Sequence, residues 1–164
     1  MKALVVYESF WGNTEAVAKA IAEGIGPDTR ALRTDKATPE ALADAGLLIV
    51  GAPLMGFALP RQQNYETLGA DKKAPRPADV SHPSMRTWLA SLPKGQGRFA
   101  TFETRFKWSP GSATGKMGRA LEGAGYLSVA KRERFLVAGT YGPMREGELE
   151  RARRWGAELA KAIS

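Results

Sequence analysis

Cysteine is absent from this 164-residue chain, and histidine occurs once, at position 82. The first absence excludes disulfides, cysteine nucleophiles and thiolate metal sites. With one His and no Cys, no metal cluster of those ligands can be assembled. Ser-His-Asp chemistry would have to use His82, in Ser81-His82-Pro83. No Gly-x-Ser-x-Gly elbow accompanies it, and the sequence places it as a solvent-facing loop residue. No apolar run approaches the ~18 residues of a membrane span. The Ala3–Tyr7 run is too short for the apolar region of a signal peptide, and acidic Glu8 follows it. Together these features predict a cytoplasmic protein with no membrane span.

Apolar residues make up 43% of the sequence, enough for one domain over 1–164 with an ample core. Net charge is +7 and uneven: residues 98–164 hold thirteen Lys/Arg against seven Asp/Glu. A basic carboxyl-terminal half suits an acidic protein partner or an anionic cofactor. Arg145, Arg151, Arg153 and Arg154 alternate with Glu146, Glu148 and Glu150, the pattern of surface ion pairing. No basic-aromatic array of a nucleic-acid module is present, so no nucleic acid is expected.

Apolar runs alternate with helical patterns. Strands are predicted at Ala3–Tyr7, near Thr29–Leu32, at Leu47–Val50, at Arg98–Phe102 and at Phe135–Ala138, the last preceded by an extended Leu127–Ala130. Helices are predicted over about Thr14–Ile25, Thr38–Ala45, Ser84–Leu92, Ser112–Gly123 and Glu146–Ile163. Residues 64–83 lose periodicity and carry Lys72-Lys73-Ala74-Pro75-Arg76-Pro77, so an excursion is expected there. Strand–helix alternation of this kind implies an α/β fold: a five-stranded parallel sheet with helices on both faces. Ligands of such sheets bind beyond the carboxyl ends of the central strands. Here those ends are loops 9–14, 51–60 and 103–112.

The first of these loops, Ser9-Phe10-Trp11-Gly12-Asn13-Thr14, turns an apolar strand into a helix N-terminus. Backbone N–H groups, the helix dipole and the Ser9 and Thr14 hydroxyls together favour a bound phosphate. Read without a ligand, Gly12-Asn13-Thr14 is a turn and helix cap. A second phosphate-loop candidate fails: Pro110-Gly111-Ser112-Ala113-Thr114-Gly115-Lys116-Met117 has its glycine at the wrong offset and ends in Met.

Tyr7-Glu8-Ser9-Phe10-Trp11-Gly12-Asn13-Thr14-Glu15 resembles the phosphate loop of the flavodoxin family. Gly51-Ala52-Pro53-Leu54-Met55-Gly56-Phe57-Ala58-Leu59-Pro60 resembles its second, ring-bordering loop, and 103–112 holds the place of its third. The Tyr-Glu-Ser-x-x-Gly-Asn-Thr form and Gly142-Pro143-x-x-x-Gly-Glu-Leu-Glu look closest to small stand-alone flavodoxin-domain proteins. The resemblance implies strand order 2-1-3-4-5 and FMN binding, with redox chemistry carried by the flavin. The positions it assigns to the cofactor are Ser9, Phe10, Trp11, Gly12, Asn13, Thr14, Pro53, Leu54, Met55, Gly56, Phe57, Thr104 and Arg105. Two depart from the family's usual form: Trp11 and Leu54 stand where hydroxyl residues are common. Trp11, Met55, Phe57, Phe106 and Trp108 are available to cover a planar ring, with Trp11 and Phe57 favoured. Arg105 is expected at the phosphate, at the ring's O2/N1 edge or on an anionic substrate, or else on the surface. A basic edge there would make the flavin less reducing. Expected partners are an acidic redox protein or a quinone, with NAD(P)H as a reductant. The alternative reading is a flavodoxin-like scaffold without flavin, acting as a binding module.

Overall fold

The computed structural model describes residues 2–164. Strand β1 is Lys2–Tyr7, helix α1 Asn13–Ile25, β2 Arg30–Arg33, α2 Pro39–Leu42 and β3 Ala45–Pro53. Then come α3 at Gln62–Ala70, α4 at Met85–Ala90, β4 at Arg98–Arg105 and α5 at Thr114–Gly123. The chain closes with β5 at Leu127–Ser128, β6 at Glu133–Leu136 and α6 at Glu148–Ile163.

The sheet is parallel and runs β2-β1-β3-β4-β5, with β6 also on β4. β5 pairs with Arg98 and Phe99, while β6 pairs with Phe102 to Arg105. The expected fifth strand is therefore two short pieces along one edge of β4, giving the order 2-1-3-4-5. The Lys131-Arg132 pair between the pieces is exposed and interrupts an apolar run that would otherwise have continued.

Alternation along the strands divides the core. Ala3, Val5 and Tyr7 of β1 face α1 and α6 with Ile49, Phe102 and Phe135. Leu4 and Val6 face the other way, with Leu48, Val50, Met85, Trp88 and Met117, under α4 and α5. On the first face α1 and α6 meet backbone to backbone. A Cβ on Gly156 would lie 2.3 Å from the Ile21 carbonyl oxygen, and one on Gly24 1.9 Å from that of Arg153. Only glycine permits that approach.

Several boundaries differ from those predicted. β3 extends past Val50 to Pro53, and β4 past Phe102 to Arg105, because the ladder between them continues through Pro53↔Thr104. Thr104 and Arg105 therefore sit in a strand and not in a loop. The 64–83 excursion begins helical, with α3 reaching Ala70. The expected ion pairing is present in part: Arg151 meets Glu148 and Arg153 meets Glu150, and the same two arginines reach Glu133 of β6 and Glu23 of α1, while Arg145, Arg154 and Glu146 form no ion pair among the described residues.

Candidate functional site

The carboxyl ends of β1, β3, β4 and β6 open onto a cleft of about 260 Å³. Eleven of the thirteen predicted positions line it: Ser9, Phe10, Trp11, Asn13, Thr14, Pro53, Leu54, Met55, Gly56, Thr104 and Arg105. Gly12 stands at the cap of α1 with φ 107°, a left-handed conformation suited to glycine. Phe57 does not line the cleft; it is 67% exposed beside Gly56. The remaining lining comes from Phe106, Ser109, Val137 and Thr140. Val137 and Thr140 were missed from sequence, although they follow β6 at a strand's carboxyl end, where such sheets bind ligands.

The loop 9–12 is held from behind. His82 Nε2 lies 3.0 Å from the Ser9 carbonyl oxygen. The Asp79 N–H donates to the Phe10 carbonyl at 2.8 Å. Arg76 Nη2 donates to the Trp11 carbonyl and, at 3.1 Å, to that of Tyr141. Consecutive carbonyls thus all turn toward segment 76–82. In a trans peptide the C=O and N–H point opposite ways, so the Phe10 and Trp11 N–H groups are turned away from that segment. The Gly12 N–H is taken by Ser9 Oγ at 3.1 Å.

The start of α1 is left open. The N-caps of α2 and α4, Thr38 and Ser84, accept backbone N–H bonds through their side chains. No side chain caps α1. Its first N–H groups have no intrahelical partner, and they carry the positive end of the helix dipole. Thr14 Oγ1 lies 2.8 Å from Thr104 Oγ1, joining the loop to β4. Asn13 Nδ2 donates to the Gly139 and Thr140 carbonyls at 3.1 and 3.3 Å, tying α1 to the loop after β6.

The other walls are apolar. Trp11 is half-buried; its Nε1–H donates to the Arg76 carbonyl at 3.1 Å, and its ring meets Tyr141 edge to face at 4.8 Å. Its indole is therefore fastened in place at one side of the cleft. Phe106 and Trp108 stack at 5.2 Å, with Trp108 75% exposed. Between β3 and α3 a tight turn is closed by Met55 N to Ala58 O at 2.8 Å and Ala58 N to Met55 O at 3.2 Å. Its central residues, Gly56 and Phe57, have φ 57° and 70°. A left-handed phenylalanine is strained, and such strain concentrates at functional turns.

Two expectations are corrected. Arg105 is neither on the surface nor free for a ligand. It is 7% exposed, pairs with Glu103 at 2.8 Å, and donates to the carbonyls of Gly111 at 2.9 Å, Phe106 at 3.3 Å and Ser109. Its charge is matched by buried Glu103, which also accepts the Ala113 and Thr114 N–H groups at 3.0 and 3.1 Å. The expected basic edge is thus spent on shaping loop 106–111. His82, expected in solvent, is 4% exposed. The excursion folds back over the 9–12 loop and buries the imidazole against Phe10, Tyr65 and Ser9. Among the described residues no cluster of metal-ligating side chains is found, and no helix is long and apolar enough to cross a membrane.

Solved structures share this architecture end to end. An archaeal flavodoxin superposes with TM-score 0.69 over 100% of both chains, at 24% identity. The chain has the flavodoxin fold. Flavodoxin 1 of Bacillus cereus superposes with TM-score 0.68 over 100% of both chains, at 18% identity. The flavodiiron core of Synechocystis sp. matches 99% of this chain with 36% of its own, at TM-score 0.64 and 22% identity. No family model and no curated protein matches the chain in sequence.

Proposed function

We propose that the cleft binds FMN and that the protein is an electron-transfer flavoprotein or a small FMN-dependent oxidoreductase. The observation that carries this reading is the loop 9–12, whose Ser9, Phe10 and Trp11 carbonyls are engaged by segment 76–82, at the uncapped N-terminus of α1 and beside an apolar slot. An anion needs such N–H donors and a helix dipole, and a planar ring needs such walls. The flavodoxin fold of the neighbours agrees with it.

In this reading the N–H groups of Phe10, Trp11, Asn13 and Thr14, with Ser9 Oγ, would hold the phosphate. Thr104, hydrogen-bonded to Thr14, would brace the floor of the cleft. Trp11, Leu54, Met55 and Phe106 would shield the ring from water, with the strained Gly56-Phe57 turn at the margin of the cleft. When bound, FMN supplies the one- and two-electron chemistry, and the protein supplies position and electrostatics. The exposed Phe57 and Trp108 leave an apolar margin for a quinone or a redox protein, and the basic carboxyl-terminal half favours an acidic protein partner. The test is purification of the protein and titration with FMN. Bound flavin absorbance, followed by stopped-flow reduction with NADPH with and without a quinone, separates reductase from carrier. Colourless protein that leaves FMN fluorescence unquenched contradicts the reading.

A further inference from the structure

Beneath Ser9 lies a chain of titratable side chains that the proposed flavin site does not itself use. Glu8 is 0% exposed, Tyr65 5% and His82 4%. Tyr65 Oη contacts Glu8 Oε2 and, at 3.1 Å, His82 Nδ1. The Met85 N–H donates to Glu8 Oε2 at 3.2 Å. At the far end, His82 Nε2 lies 3.0 Å from the Ser9 carbonyl oxygen.

A carbonyl oxygen only accepts, so His82 Nε2 carries a hydrogen. The remaining contacts meet at Tyr65 Oη, which owns one hydrogen, and at the Pro83 carbonyl, which only accepts and lies 3.1 Å from His82 Nδ1 and 3.4 Å from Tyr65 Oη. The contacts of Tyr65 with Glu8 and with His82 are both hydrogen bonds only when Glu8 or His82 Nδ1 supplies a second hydrogen. A protonated Glu8 donates to Tyr65, which donates to Nδ1. A protonated Nδ1 donates to Tyr65 and to the Pro83 carbonyl, and Tyr65 donates to the carboxylate. The chain is complete with one shared proton and broken without it. Loss of that proton also leaves a negative charge buried under the loop, on a carboxylate whose Oε1 has no hydrogen-bond partner among the described residues. Burial pushes the Glu8 carboxyl up to about 7, against the hydrogen bonds from Tyr65 and Met85.

We propose that His82 is a positioning residue of the phosphate cradle, and that Glu8, Tyr65 and His82 keep it in place through one shared proton. The proposal rests on the reading of the cleft as a flavin-phosphate site. His82 holds the Ser9 carbonyl and thereby turns the Phe10 N–H toward the anion. The charged groups facing the chain are Arg86 of α4 near Glu8, with Arg61 beside it, and Asp79 near His82. Asp79 is itself paired with Arg33 of β2 at 2.7 Å. As pH rises and the proton leaves, the hold on Ser9 slackens and a like charge appears behind the phosphate. FMN affinity then falls with pH. The second ionisation of a phosphate monoester, near pH ~6, pulls in the opposite direction, so a fall is diagnostic.

His82 is the only histidine, so its ring gives one assignable set of NMR signals. In protein without added flavin, its Nε2–H is expected to be protected from exchange at about pH 6 and to lose about tenfold in protection by about pH 9. In Tyr65→Phe, which keeps the ring packed against Phe10, the His82 signals are expected to stop following the ionisation of Glu8. The Kd for FMN should weaken about tenfold over the same range in the native chain and stay level in Glu8→Gln, whose amide has no proton to lose in that range. Riboflavin, lacking phosphate, should show no such trend. An unprotected Nε2–H at about pH 6, or His82 signals that still follow the ionisation of Glu8 in Tyr65→Phe, overturns the proposal whether or not FMN binds. A protected, Tyr65-coupled His82 in a protein that binds no FMN supports the proton chain and overturns the flavin reading instead.

Discussion

Replacing Arg105 by alanine should destabilise the protein by about 3 kcal/mol, the lower end of the range for breaking a buried ion pair. The structure sets that end of the range. The side chains of Arg105 and Glu103 are 6% and 3% exposed and meet at 2.8 Å. Without the guanidinium, Glu103 is left charged in the interior, but it still accepts the Ala113 and Thr114 N–H groups at the start of α5. Those two bonds soften the penalty without removing it. The carbonyls of Gly111, Ser109 and Phe106 also lose their donor, and they lie in a half-exposed loop where water can replace it. The double variant Glu103→Gln/Arg105→Met removes both charges at similar volume. It should therefore cost about 2 kcal/mol less than the sum of the single changes, a coupling typical of directly paired groups. Urea denaturation at neutral pH, with matched slopes, measures all of these. An Arg105→Ala loss below about 1 kcal/mol, in the range of an exposed pair, would refute the reasoning. So would single changes that simply add.

The Glu8 carboxyl lies near 4.5 unfolded and about 7 folded. Its stabilising contribution is therefore complete below about pH 4.5 and is lost as pH rises through about 7, so native stability relative to Glu8→Gln should drop by about 3 kcal/mol across that window. Urea melts at a series of pH values check this, and a difference that stays flat or rises counts against it. Phe57→Gly should stabilise by about 1 kcal/mol, since a left-handed phenylalanine gives way to the residue that suits the turn. Thermal melts of the variant test this, and a lowered Tm counts against it. Gly156→Ala drives a Cβ to 2.3 Å from the Ile21 carbonyl oxygen. It should cost about 2 kcal/mol, a fall in Tm of roughly 4–8 °C by calorimetry.

Strand and helix placement is legible in the sequence because parallel strands buried on both faces read as continuous apolar runs, while the sheet order and most of the cleft positions follow from the resemblance of the three loops. Leu47–Val50 marks β3 in this way, and the Gly-Asn-Thr start of α1 marks the first loop of the cleft. What pairing adds beyond the apolar run is not legible. β4 continues into Glu103-Thr104-Arg105 because β3 and β6 flank it, and no local pattern says that a Glu and an Arg will be buried together. Segment 64–83 reads as an excursion because, past α3, its contacts are polar and distant: Asp79 to Phe10, Arg76 to Trp11, His82 to Ser9. Such bonds span about 65 or more residues and leave no periodicity. The same distance hides the two-fold role of Trp11. Its indole braces the backbone of the excursion while its ring walls the cleft.

The central claim is that the outward-turned loop 9–12, at the open end of α1, takes a phosphate. Fluorescence titration of the purified protein with FMN and, separately, with riboflavin tests it most directly. The account predicts one-to-one quenching by FMN, with riboflavin binding at least about tenfold more weakly because it lacks the group the loop holds. Equal affinity for the two, or no quenching by either, would contradict it.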